Sequence, residues 1–341
     1  MELDLFGLTR ALVDIESVTG GERAIAEYLE ERLAALAGGS GGRVERMPVA
    51  EGRWNLFAAW GPPEVVLSTH LDTVPPFFGS SEDEDTIRGR GACDAKGAIA
   101  AMVCAAGELL AAGESGFGLL LVVGEETDGA GADAANRTPR GARCLINGEP
   151  TENRLAVGSK GALYLALEAT GKMAHSAYPE LGDSAIDKLL DALGRLRRLP
   201  LPAASDLGET TLNVGTLAGG RAANVVADAA RAEVMIRTVG DTAELLQALF
   251  AALGSEVRAS EVREVPALRL RALPGFATTV VKYTTDIPRL TAWGEPYLLG
   301  PGSIHVAHTP NEHVAKRDLL EAAGLYRDLV RRLKASPGAG A

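Results

Sequence analysis

The sequence predicts a mixed α/β domain interrupted by a smaller inserted α+β domain. Three observations predict it. In the first third, apolar residues at helical spacing alternate with short apolar runs bounded by turn residues. From about Ser159 the succession becomes β-α-β-β-α-β, the signature of a ferredoxin-like two-layer sandwich. Beyond about Val265 the mixed α/β texture returns and ends in a long helical pattern.

Element by element, LDLFGLTRALVDI and ERAIAEYLEERLAALA read as helices, the second closed by GGSGG. NLFAAW, EVVLSTH and GLLLVVG read as buried strands of a mixed sheet. The helix AKGAIAAMVCAAGELLAAG separates the last two, and helices are expected on both sheet faces. The inserted part begins with the strand ALYLALEAT and a helix around SAIDKLLDALGRLRRL. The strands TTLNVGTLAGG and ARAEVMIRTV, a helix around TAELLQALFAAL and the strand SEVRASEVRE complete it. A final helix is expected over EHVAKRDLLEAAGLYRDLVRRL, with His313 in its first turn. The expected organisation is one discontinuous domain, 1–158 and 266–335, around an insert at 159–265. The tail 336–341 is expected to be disordered.

Composition narrows the partners. The chain has 341 residues, 46% hydrophobic and 23% charged, with a formal net charge of −11. No Lys/Arg cluster stands against that charge, so neither nucleic acid nor an anionic membrane is expected as a partner. No apolar run approaches the ~20 residues of a membrane span. MELDLFGLTR has acidic residues where a signal peptide carries basic ones. Cys93, Cys104 and Cys144 form no C-x-x-C pair, and together these features point to the cytoplasm.

The chemistry-bearing positions sit at expected strand ends and loops. His70 ends EVVLSTH, and Asp72, two residues on, can lie on the same side and orient it. Taken alone, that pair better describes a surface His that stands beside an Asp by chance. Asp94, in GRGACDAKG, stands where a helix N-cap would. It also occupies the place of the third glycine of a dinucleotide fingerprint, which excludes a nucleotide site. Glu125 and Glu126 follow GLLLVVG, where adjacent carboxylates either reach solvent or divide cation binding and proton transfer. Glu149 follows CLI in NGEPT, and His308 lies in the loop GPGSIHVAHTPNEHV. Ser159 and Ser303 lie in no G-x-S-x-G elbow, which excludes a serine hydrolase of that type.

In order along the chain, STHLDTVP, GRGACDAKG, GEET, NGEPT, KMAHSAYP and AHTPNE resemble the M20 peptidase/deacylase family. The resemblance runs from about Leu3 to Leu333. It is nearest to acetylornithine deacetylase-like and succinyl-diaminopimelate desuccinylase-like members, through LGPGSIHVAH and CDAKG. It implies a zinc-exopeptidase-like domain with an inserted lid and dimerisation domain, a homodimer, and two divalent ions, Zn2+ with Co2+ or Mn2+ as substitutes. Asp94 would bridge the ions. His70 and Glu149 would complete one set of ligands, Glu126 and His308 the other. Asp72 would orient His70, and Glu125 would be the general base. His175 would stabilise the oxyanion from the partner subunit, while Asn224 and Arg237 would hold a substrate carboxylate. The implied reaction removes an acyl group from an N-acyl amino acid such as acetylornithine. A desuccinylase, aminoacylase, carboxypeptidase or dipeptidase could use the same site. A non-catalytic protein of this fold would be expected to have lost a ligand or the base, and none is lost. Ala95 and Asn147 depart from the usual residues without removing a ligand. His305 is expected to be exposed or substrate-facing.

Overall fold

A computed structural model describes residues 3–336 as two compact units. One takes in the chain through Val157, Leu270–Thr279 and the described residues from Thr285 onward. The other comprises Gly158–Arg269 and Val280–Thr284. The second unit retains 266–269 and 280–284 because they are hydrogen-bonded to its first residues. Leu268 and Arg269 pair with Ser159 and Gly158, Lys160 N–H donates to the Val281 carbonyl, and the Ser159 hydroxyl donates to that of Tyr283. Of the expected tail, only Ser336 is described, as the cap of the last helix; 337–341 lie outside the described residues.

The first unit is built on a six-stranded mixed sheet. Its order is Arg43–Ala50, Arg53–Trp60, Phe117–Val122, Val65–His70, Cys144–Asn147 and Glu295–Leu298. The first two pairings are antiparallel and the other three parallel. Alternation along each strand sorts the side chains to two faces. Leu56, Ala58, Val65, Leu67, Leu119 and Leu121 join the core beneath the helices Leu5–Val13, Lys96–Ala111 and Lys316–Ala335. Phe57, Val66, Leu120, Val122 and Leu145 join a second cluster with Trp293 and the helix Ala130–Asn136. The helix Lys96–Ala111 is buried nearly all round, which its Ala- and Gly-rich sequence permits at close approach.

Two segments differ from the sequence expectation. Arg43–Ala50 is an edge strand that hydrophobic periodicity does not reveal, since only Met47 is buried in it. His313 lies in the strand His313–Ala315, not in a helix, because this segment pairs antiparallel with Thr86–Arg88. The helix begins only at Lys316.

In the second unit, the strands Thr211–Gly219, Ala229–Thr238, Gly161–Thr170 and Val257–Val265 form one antiparallel sheet in that order. The helices Ala185–Leu196 and Ala243–Leu253 pack on it. Ala185, Leu189, Ala192, Leu193 and Leu196 form the buried stripe of the first helix, which Ser184 caps by accepting from Asp187 N–H. Alternate residues of Ala229–Thr238 are buried, as suits a sheet covered on one face.

Candidate metal centre

Three parallel strands of the first unit end at one edge of its sheet, where open α/β sheets bind ligands. His70 is the last residue of its strand and stands level with Val122. The neighbouring strand runs on from Val122 into Gly124, Glu125 and Glu126. The strand Cys144–Asn147, on the other side, runs into Gly148 and Glu149. Hydrophobic strands thus carry polar residues to a common edge.

His70 is buried, and its Nδ1 lies 2.9 Å from the backbone carbonyl of Asp72. A carbonyl can only accept, so Nδ1 carries the proton and the Nε2 lone pair is left free. The Asp72 carboxylate, expected to orient His70, stands 3.6 Å from Nδ1, beyond hydrogen-bond distance. It instead accepts from the N–H groups of Gly124 (3.0 Å), Glu125 (3.1 Å) and Glu126 (3.2 Å), and from the Thr19 hydroxyl (2.7 Å). The bend at Leu71 aims the Asp72 carbonyl, not its side chain, back at the imidazole. Burial opposes ionisation of Asp72, but the facing His70, the Thr19 hydroxyl and the Glu126 N–H hold its pKa below the usual 3.8.

Asp94 is not a helix cap. The following helix starts after Ala95 with no side-chain cap bond, and the Asp94–Ala95 peptide is cis. The Asp94 carboxylate faces two imidazoles, with Oδ1 3.0 Å from His70 Nε2 and Oδ2 3.3 Å from His308 Nε2. Its loop is held by Glu312, a residue that sequence reading did not single out. The Glu312 carboxylate accepts from the N–H groups of Gly91 (2.9 Å), Cys93 (3.2 Å) and Asp94 (3.1 Å), and pairs with buried Arg90 at 2.5 Å. A buried charge needs such partners. Pairing of 313–315 with 86–88 is what brings Glu312 to that loop.

His308 has φ of 62°, a left-handed conformation uncommon outside glycine. Its Nε2 is 2.9 Å from Glu126 Oε1. Glu149 Oε1 lies 4.0 Å from His70 Nε2, buried and without a hydrogen-bond partner. The donors therefore form two groups, His70–Asp94–Glu149 and Asp94–Glu126–His308. Within each group the donor atoms lie within 4.8 Å of one another, and Asp94 is common to both.

This set fits divalent cations. A neutral His70 would present a lone pair to a carboxylate oxygen at 3.0 Å, an arrangement that needs a proton or a cation between them. Protons are the metal-free answer. Burial disfavours the charge on His70, but the nearby Asp72 carboxylate, the hydrogen bond to Asp94 and the charge of Glu149 raise its pKa well above 6.5. Hydrogen bonds donated to the Asp94 and Glu126 carboxylates push His308 up to about 10. Burial, then the charges of Asp94 and Glu125, raise Glu149 well above 4.5. Two imidazoles and three carboxylates are ligands that divalent zinc accepts.

Glu125 differs from its neighbour. Glu126 is engaged with His308, whereas the half-buried Glu125 makes no side-chain hydrogen bond among the described residues. Burial, and next the charge of Asp286, raise its pKa well above 4.5. Asp286 is buried with Oδ2 unpartnered, and burial lifts it to about 7. Nothing in DIPRL marks it in the sequence. His305 is exposed.

The remaining expected residues lie in the second unit. His175 is exposed, and its Nδ1 accepts from Ala177 N–H at 3.1 Å, which leaves the ring proton on Nε2. It bridges to Val225, beside Asn224, whose carbonyl accepts from Ser176 N–H. Arg237 stands elsewhere. It pairs with Thr211 at one end of the strand pair, while Asn224 follows the other end, where Gly219 meets Ala230. Seven residues of strand separate those ends, about 23 Å. Asn224 and Arg237 of one chain therefore stand near opposite ends of that strand pair.

Residues 66–332 match Peptidase family M20/M25/M40. A peptidase M20 domain-containing protein of Schizosaccharomyces pombe is 40% identical, over 96% of this chain and 84% of its own length. A probable carboxypeptidase of Aspergillus clavatus is 39% identical, over 96% and 82%. Among solved structures, a tripeptidase from Staphylococcus aureus superposes with a TM-score of 0.82 at 22% identity. That match covers 98% of this chain and 99% of the other. With this match along most of its length, the chain belongs to peptidase family M20/M25/M40 and is a hydrolase of amide bonds.

Proposed function

We propose that the protein is a two-zinc exopeptidase or deacylase. It would release an amino acid with a free carboxylate from a short peptide or N-acyl amino acid. The observation that carries this reading is the Asp94 carboxylate, shared between two complementary donor groups. His70, Asp94 and Glu149 would hold one ion, and Asp94, Glu126 and His308 the other, with Co2+ or Mn2+ able to substitute. When bound, two such ions polarise the scissile carbonyl and activate a water.

The chain's own residues do the rest. Glu125, unpaired and raised by burial, takes the proton of the attacking water and delivers it to the leaving nitrogen. Asp72 fixes the tautomer of His70 through its carbonyl and the position of Glu125 through its carboxylate. His175 presents an Nε2–H donor suited to a developing oxyanion. We place it in the active site of a partner copy, with 159–265 as the lid and dimerisation domain. A monomeric form should then bind metal yet turn over poorly. Arg237 receives a substrate carboxylate.

The carboxypeptidase reading takes support from the Aspergillus relative's name, and the acetylornithine deacetylase reading from LGPGSIHVAH and CDAKG. A panel of dipeptides, tripeptides, N-acetylornithine and N-succinyl amino acids, with and without chelator, separates them. Hydrolysis that survives complete removal of metal would exclude the two-zinc reading.

A further inference from the structure

Among the described residues, only Glu152, Asn153 and His308 combine a side chain with a left-handed backbone. Such conformations are costly for a residue with a Cβ and persist where the surroundings over-determine them. His308 belongs to a donor group; Glu152 and Asn153, each with φ of 57°, belong to neither but follow Glu149 closely in the chain. Their loop is fixed on two sides. On one side, the Gly300 carbonyl accepts from Thr151 N–H at 3.2 Å and Asn153 N–H at 2.9 Å, and the Gly302 carbonyl accepts from Glu152 N–H at 2.8 Å. A Cβ at Gly300 would stand 2.5 Å from the Glu149 carbonyl oxygen, so the two segments meet with no room for a side chain between them. On the other side, the buried Asn153 amide donates to the Asp318 carbonyl at 2.9 Å and to the Glu321 carboxylate at 3.0 Å, both on the last helix.

Glu149 depends on such a hold. Its carboxylate makes no side-chain hydrogen bond among the described residues, and Oε1 is buried 4.0 Å from His70 Nε2. Its place is therefore set by the backbone that carries it. Asparagine joins the two properties that position 153 uses. It enters the left-handed region more readily than most residues with a Cβ, and its Nδ2 supplies two donors. We infer that Asn153 is a positioning residue for Glu149. Its backbone bends the loop, and its amide anchors that loop to the last helix, so that the third donor of the His70–Asp94–Glu149 group stands in place before a cation arrives. Glu149 belongs to that group alone, so the effect falls on one of the two ions. The inference rests on the two-zinc reading.

The test is zinc titration of the metal-free chain in competition with a chromophoric chelator. The unaltered protein should take up two equivalents. Asn153→Ala should weaken one of them about 10–100-fold and leave the other within about twofold. Asn153→Gly keeps the left-handed turn without strain and lacks only the amide, so it should weaken the same equivalent by less. In a Glu149→Ala background, Asn153→Ala should cause no further loss of zinc affinity, because a residue that acts through Glu149 has nothing left to position. Unaltered affinities in Asn153→Ala or Asn153→Gly, equal weakening of both equivalents, or a further loss in the Glu149→Ala background would each overturn the inference. Fewer than two equivalents in the unaltered protein would overturn the two-zinc reading, and this inference with it.

Discussion

Glu312→Gln tests how Asp94, the aspartate common to both donor groups, is held. Glutamine keeps an acceptor for the N–H groups of Gly91, Cys93 and Asp94, so the substitution removes chiefly the charge that faces Arg90. The side chains of Glu312 and Arg90 are 0% and 2% exposed, and leaving one partner of a buried pair alone costs about 3–5 kcal/mol. Arg90 retains the Pro76 carbonyl at 3.2 Å and the face of Phe78 at 5.0 Å, which favours the lower end, about 3 kcal/mol. With residue 312 no longer fixed by the charge of Arg90, the loop would hold Asp94 less firmly, and metal affinity should fall about 10–100-fold. Denaturant unfolding of the metal-free protein reads the first quantity, and competition with a chromophoric chelator reads the second. Arg90→Met combined with Glu312→Gln should recover part of the lost stability, because no buried charge is then left over. If Glu312→Gln alone changes neither stability nor metal affinity, the anchoring argument is wrong.

Three further outcomes are expected. Glu125→Ala should retain two metal equivalents by elemental analysis yet lose about 10²–10⁴ in kcat, and unchanged turnover would remove the residue from proton transfer. His308→Ala should lower metal content from two ions to one, since His70, Asp94 and Glu149 remain grouped; retention of both would contradict the assignment. The gap in Tm between metal-loaded and metal-free protein should widen from about pH 5.5 to about pH 8.5. Glu125 and Glu149 are raised above 4.5, and Asp286 is raised from 3.8 to about 7. Their contribution to stability is complete below the ordinary values and is lost as pH rises through the folded ones. His308 follows the same sign, contributing fully below 6.5 and losing its contribution towards 10. Asp72 and Asp94 are held below 3.8 and change only under that pH, outside the window. A gap that stays constant or narrows would show that cations do not replace these protons.

Much of the architecture was legible because burial leaves a period in the sequence. EVVLSTH, GLLLVVG and the six elements from ALYLALEAT to SEVRASEVRE correspond to observed strands and helices within a few residues. Arg43–Ala50 escaped because an edge strand with one buried residue leaves no such period. His313 escaped because pairing with a strand more than two hundred residues earlier outweighs local helical preference. The same limit applies at the candidate site. His70, Asp94, Glu126, Glu149 and His308 could be picked out at strand ends and loops, but their anchors could not. Glu312 acts on a loop about 220 residues away, and Asp286 is distinguished only by its burial. Residue type likewise could not say that Asp72 would address His70 through its main chain.

That division of labour within Asp72 has a mechanical consequence. Its carbonyl holds the imidazole of one donor group, while its carboxylate holds the backbone of Glu125 and of Glu126, a member of the other group. Both halves of the site are thus measured from a single datum. A shift of that datum moves His70, Glu125 and Glu126 together, as common-mode motion, while their separations change little. Tolerances of about 0.5 Å can then survive in a site assembled from five distant stretches of chain.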